Sequence, residues 1–301
     1  MLKHNLSRSS AGSQRQAGDR RASGTLVTAR ISPNNKMLQD MLRHFPQPGV
    51  SYPHRIRDYF IAGLTFTCVA ISLNIDASGT VEQQNQMGLI AWTFLAGLLL
   101  GENKEIRMQV IVAVAFATAG EHFASIYMQG YTYRFANVPA YVPPGHGMVY
   151  LTAVALARSG FFLTHSRKIA IFVVTTCGLW SLWGISGYPE QGDEVGALLF
   201  CIFLVYLFKG RSPLVYLGAF FITTWLELIG TAAGTWQWAT IEPVLSLSQG
   251  NPPSGVAAWY CLVDAVAIGS APVLLRGLRK SNEWFRAEKT QKDAHQAARN
   301  D

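Results

Sequence analysis

"LVYLGAFFITTWLELIGTAAGTWQW", residues 214–238, decides the fold. Its first seventeen residues carry one charge, Glu227, among apolar and small side chains. A run of that length and composition reads as a membrane-spanning helix. A carboxylate at the centre of such a helix costs on the order of 2.5–3.5 kcal/mol on insertion scales, less toward the interface. It is therefore expected to face protein or a cavity, and to mark function. The run then breaks at small residues and ends in Trp-Gln-Trp.

The same character extends to both sides. Only 14% of the 301 residues are charged and half are apolar, whereas about 25% charged is usual for soluble domains. Residues 58–275 hold 8 Lys/Arg and 12 Asp/Glu, and the two ends hold the other 17 and 6. A charged head and tail bracket an apolar middle, which predicts an all-α, polytopic integral membrane protein. The net charge of +7 follows from basic cytoplasmic flanks and does not call for nucleic acid as a partner. Cys68, Cys177, Cys201 and Cys261 all fall in apolar runs without C-x-x-C spacing, so they read as small core residues.

Apolar runs near 59–76, 87–101, 108–128, 146–164, 169–186, 195–208, 214–231 and 255–275 predict eight transmembrane helices. The second and sixth are shorter than the ~20 residues of a typical span, and charge placement decides for them. Eight spans with the N-terminus inside put 24 of the 25 Lys/Arg on one face and leave only Arg134 outside, as the positive-inside rule requires. The expected organisation is a basic, disordered cytoplasmic arm (1–57), four-helix membrane units at 58–164 and 165–275, and a charged cytoplasmic tail (276–301). Without a signal-peptide pattern in the arm, a bacterial inner membrane location with both termini cytoplasmic is expected. Arg158, near the end of the fourth run, can snorkel to the cytoplasmic face.

The two membrane units repeat one another. Glu121 and Glu227 are offset by 106; Tyr131 and Tyr133 precede Trp236 and Trp238 by 105; Pro139 precedes Pro243 by 104. Pro143, Pro144, Tyr150 and Gly160 precede Pro252, Pro253, Trp259 and Gly269 by 109. Since four helices return the chain to its starting side, the two units are expected as parallel four-helix repeats.

Both carboxylates come at one depth. Glu121 lies roughly 21 Å above Arg107, and Glu227 roughly 22 Å above Ser212, at 1.5 Å per residue. Two neighbouring buried carboxyls do not ionise independently, which is the condition for a proton donor and acceptor. Glu121, Glu227 and the third buried acid, Asp264, are the expected catalytic set. His122, His146, Tyr131, Tyr133, Trp236 and Trp238 are the expected substrate contacts, with an interfacial aromatic belt as the alternative for the four rings. "PPGH" and "PPSG" read as helix starts whose free N–H groups face an outer cavity. Gly230 and Gly234 form a G-x-x-x-G read as a helix contact. No cofactor is expected. A metal held by Glu121, His122 and His146 is an alternative, though the spacing matches no common ligand pattern.

The intramembrane Glu, the aromatic-x-aromatic turn and the following Val-Pro or Pro-Pro resemble the polytopic membrane enzymes of carotenoid biosynthesis, the carotenoid hydratases and membrane lycopene cyclases. The resemblance covers Glu121–Pro144 and Glu227–Pro253, and lacks the paired Glu-Glu of the cyclases. It implies an enzyme that protonates an isoprenoid double bond. The expectation is thus acid–base chemistry on a membrane lipid or isoprenoid at an outward-facing intramembrane site. The alternatives are a proton-coupled small-solute transporter and a non-catalytic assembly or sensor protein.

Overall fold

A computed structural model describes residues 45, 46 and 50–300; most of the arm predicted at 1–57 lies outside them. Among the described residues are eight α-helices: α1 (Ile56–Ser78), α2 (Val81–Leu100), α3 (Lys104–Glu121), α4 (Val142–Arg158), α5 (Gly160–Gly184), α6 (Glu194–Lys209), α7 (Pro213–Ala232) and α8 (Ala257–Asn300). A π-helical turn, His122–Tyr127, continues α3, and two short strands, β1 (Tyr131–Tyr133) and β2 (Trp236–Trp238), interrupt the helical pattern. The starts follow local chemistry. Thr80 and Gln83 form a capping box on α2, while Asn103, Ser159 and Asp193 cap α3, α5 and α6. Each cap satisfies N–H groups that a helix cannot pair internally.

The chain is mostly helical, and several helices suit a membrane. Four are long and apolar enough to cross one: α1, α3 with its π turn, α7, and Ala257–Arg286 of α8. A fifth is added if α4 and α5, bent by 92° at their junction, count as one span. Eight runs become five because the two short ones, α2 and α6, drop out and α4 with α5 counts as one. α2 carries Glu-Gln-Gln-Asn-Gln directly after Val81, and α6 has 16 residues, about 24 Å of helix against a core of ~30 Å.

The α4–α5 boundary also differs from expectation. The fourth run was expected to continue to residue 164, with Arg167 and Lys168 in a loop. The helix instead stops at Arg158, and α5 starts at Gly160 and carries both basic residues. Gly160 permits the bend, because a Cβ there would meet the Tyr52 and Pro53 carbonyl oxygens at 2.7 and 2.9 Å.

Arg158 is held by two carboxylates. Its Nε donates to Asp58 Oδ1 (2.6 Å), and its two terminal nitrogens donate to Glu102 Oε2 and Oε1 (2.8 and 2.7 Å). Arg57 adds a third donor to Glu102 at 2.5 Å. This cluster pins α1, the α2–α3 loop and α4 together at the basic end of the bundle. Burial pushes the Glu102 carboxyl up, but hydrogen bonds and charge from Arg158 and Arg57 outweigh it and hold Glu102 below the ordinary glutamate range. An acid held low when folded adds stability that is present above its unfolded pKa and lost as pH falls through the folded one. The midpoint of thermal unfolding should therefore fall on acidification below the usual glutamate range, and Glu102→Gln should flatten that part of the pH profile.

The core has three parts. One joins α5, α6 and α7 with the start of α8 and takes in Phe45; a second joins α1 to α4 with Ala267 of α8. The third surrounds β1 and β2. The most extensive helix contacts are α4 with α7 and α3 with α8. Large apolar residues such as Leu89, Ile171 and Leu179 stay on outer faces, where lipid would cover them.

Candidate functional site

β1 and β2 pair antiparallel, with Tyr131 opposite Trp238, Thr132 opposite Gln237 and Tyr133 opposite Trp236. In a strand, alternate side chains share a face. Here Thr132 and Gln237 are exposed, while all four rings are buried. The aromatic-x-aromatic spacing thus builds one plate of rings, not an interfacial belt. Tyr131 and Trp238 lie 4.6 Å apart between ring centroids, and Tyr133 and Trp236 6.0 Å.

The plate's polar tips all end on the two carboxylates. Glu121 Oε2 accepts from Tyr131 Oη (2.5 Å) and Tyr133 Oη (2.7 Å), and its Oε1 lies 2.7 Å from His146 Nε2. Glu227 Oε2 accepts from the indole nitrogens of Trp236 (3.0 Å) and Trp238 (3.1 Å), and Oε1 accepts from Tyr260 Oη (3.2 Å). His146 and Tyr260 stack on each other, with centroids 5.5 Å apart. Each acid has three partners, and ladder and stack join the two sets into one cluster. Glu227 is 4% exposed and the Glu121 side chain 11%.

The ends of α3 and α7 explain the placement. Beyond Glu121 the π turn widens the helix, with Met128 N–H reaching Phe123 O and Gln129 at φ 57° turning the chain toward β1. Single π turns of this kind recur at functional sites. Beyond Glu227 the helix ends before Gly234, whose φ of 70° is the left-handed cap conformation that favours glycine. Gly230 is not part of a helix–helix contact: a Cβ there would overlap the Trp236 ring. Gly230→Ala is expected to drive the indole off Glu227 and destabilise the fold by about 1–3 kcal/mol, read as a lower Tm with altered tryptophan fluorescence.

No family model, curated protein or solved structure matches this chain. The carotenoid-enzyme resemblance therefore stays one of residue pattern, and the chemistry rests on the geometry.

Of the expected site residues, the structure gathers Glu121, Glu227, His146, Tyr131, Tyr133, Trp236 and Trp238. His122 stands apart, exposed, with Nδ1 2.8 Å from Thr118 O. Asp264 is buried at 3% exposure on α8, one turn deeper than Tyr260, and makes no hydrogen bond to either glutamate. Its Oδ2 has no partner. Among the described residues no group of three or more His, Cys, Asp or Glu side chains is placed to hold a metal.

The "PPSG" segment also differs from expectation. It forms a turn before α8, and Asp193 accepts from the N–H groups of Gly250 (2.8 Å) and Ser254 (2.7 Å). "PPGH" does open a helix, since α4 starts at Val142 with proline in its first turn. Tyr260 is the member of the cluster that sequence reasoning missed. Its signal was its position four residues before Asp264, on the same helix face. Gln249, whose Nε2 donates to Gly130 O (2.8 Å), ties the second ladder loop to the first and carried no comparable signal.

The donor set fixes what each acid can do. Indole N–H groups donate and never accept, so Trp236 and Trp238 suit a Glu227 that is a carboxylate. Imidazole can give or take a proton, so Glu121 and His146, 2.7 Å apart, can share one. The rings between them offer π faces that attract a cation.

Proposed function

We propose that this chain is an integral membrane enzyme performing acid–base chemistry on a lipid or isoprenoid. The supporting observation is the pair of buried carboxylates held by one aromatic ladder, one beside an imidazole and the other beside two indole donors and a tyrosine hydroxyl. Glu121, supplied through His146, gives a proton to an alkene carbon. The π electrons of the double bond form the new C–H bond and leave a cation. Tyr131, Tyr133, Trp236 and Trp238 stabilise that cation. Glu227 then takes a proton, either from the neighbouring carbon or from a water that captures the cation. The exposed Phe123, Ile126 and Tyr127 of the π turn next to Glu121 favour a substrate that arrives through lipid. In this reading the basic end of the bundle is cytoplasmic and the ladder lies toward the outer face.

The halves also read as duplicates. Glu121 with its two tyrosines and His146 plays the part that Glu227 plays with its two tryptophans and Tyr260. By role Tyr260 answers to His146 at an offset of 114 residues rather than the 109 that pairs Tyr150 with Trp259, so this partner has moved along the helix from its aligned position.

The test is purified protein in lipid nanodiscs, offered a panel of polyprenyl alkenes and analysed by mass spectrometry. A hydrated, cyclised or isomerised product supports the enzyme. A proton-coupled carrier is the second reading, favoured by the unpartnered Asp264 deep in the bundle. Solute uptake into proteoliposomes driven by a pH gradient, without a chemical product, would select it.

A further inference from the structure

Asp264 is the buried acid that the cluster of six donors does not use. It is 3% exposed, and Oδ2 has no hydrogen-bond partner. A carboxylate oxygen desolvated without a donor is costly, and native proteins keep such groups where a proton, water or ion serves them. Its surroundings are graded by depth. Tyr260 lies four residues back on α8, one turn or about 6 Å toward the ladder. On α4, Tyr150 likewise sits one turn below His146, and its Oη donates to Gln109 Oε1 of α3 at 2.9 Å. One turn further toward the basic end, α3 exposes Glu105.

The titratable groups around Asp264 come from each helix packed on α8. Tyr150 of α4 and Tyr216 of α7 lie within electrostatic reach of it, as does Cys261 on α8 itself, and Glu105 of α3 acts on Tyr150. Tyr206 of α6 reaches Cys261. None of these groups is a cation that would compensate an ionised Asp264. Thr152 on α4 and Thr223 on α7 bury hydroxyls that also lack partners, the kind of site where ordered water bridges polar groups.

We propose that Asp264 is a mid-bundle proton site that exchanges with the basic end through Tyr150, which Gln109 holds, and that through Tyr260 it relieves Glu227 of the proton taken up in each turnover. Asp264 holds the proton as a neutral carboxylic acid. It gives that proton up toward Tyr150 and Glu105 and takes the next from Glu227 by way of Tyr260, so one proton enters for each that leaves. The origin of the incoming proton rests on the acid–base reading above. The presence of the proton on Asp264 does not.

Infrared difference spectroscopy of the full chain in nanodiscs tests it, with D2O as the probe. The wild type should show the carbonyl stretch of a buried protonated carboxyl. D264N should lose that band, and D264E should move it, which covers the case of a poorly folded D264N. Y150F should slow deuterium exchange of the band severalfold, and T132A, on the exposed face of the ladder, should not. A band that survives in D264N, a wild type without one, or unchanged exchange in Y150F would overturn the proposal. Undiminished turnover in E121Q with the band intact would overturn the acid–base reading and leave Asp264 as a proton site, so the two readings fail separately.

Discussion

Glu227→Gln is expected to abolish turnover while leaving the fold in place. The amide is nearly isosteric with the carboxylate. Its oxygen can still accept from the indoles of Trp236 and Trp238, and its NH2 can donate to Tyr260 Oη, which has lone pairs free. What disappears is the negative charge and the ability to take a proton. Loss of a general base costs about 10²–10⁴ in rate, and an amide cannot be restored by raising pH. Glu121→Gln should lose activity comparably, because an amide facing His146 blocks the proton shared across 2.7 Å. Steady-state kinetics on the product found in nanodiscs gives kcat, and thermal melting confirms the fold. Normal kcat in either variant, with protein inserted and folded, would remove that carboxylate from the mechanism.

Arg158→Met is expected to give the largest loss of stability. Arg158 bridges Asp58 and Glu102, whose side chains are 2% and 3% exposed. Truncating it leaves Glu102 with Arg57 and leaves Asp58 without its charged partner. Breaking a buried pair on one side costs about 3–5 kcal/mol, because a charge stays buried uncompensated. The same physics predicts the rescue: R158M combined with D58N and E102Q should recover most of the loss. Arg158→Lys should recover little, since an ammonium cannot make the bidentate contact with Glu102 while also reaching Asp58. Unfolding midpoints in one detergent or nanodisc system check the series.

The membrane class was legible because charge is expelled from 58–275 and apolar runs are long. Glu121 and Glu227 stood out because an acid in such a run is costly. Their partners were half legible: the Tyr-x-Tyr and Trp-x-Trp spacing already contained the strand period of two. What sequence could not supply was the pairing of the two motifs, since β1 and β2 lie about a hundred residues apart and meet only through tertiary packing. Arg158 looked like an interfacial cation because its partners, Asp58 and Glu102, are brought to it by two other elements. The break at Ser159 was hidden for a related reason. The serine sits in a run whose one charge is Arg158, and the bend is set by the chain at Tyr52 and Pro53 passing against Gly160. His122 misled through adjacency, because the π turn sends it outward while His146, twenty-five residues from Glu121, arrives on another helix.

The most direct test of the paired-carboxylate centre is the fate of a solvent proton. Turnover in D2O should give a product with deuterium bonded to carbon in the wild type, and no such product from Glu121→Gln or Glu227→Gln. A product formed without carbon-bound deuterium, or formed equally by the variants, would contradict the account.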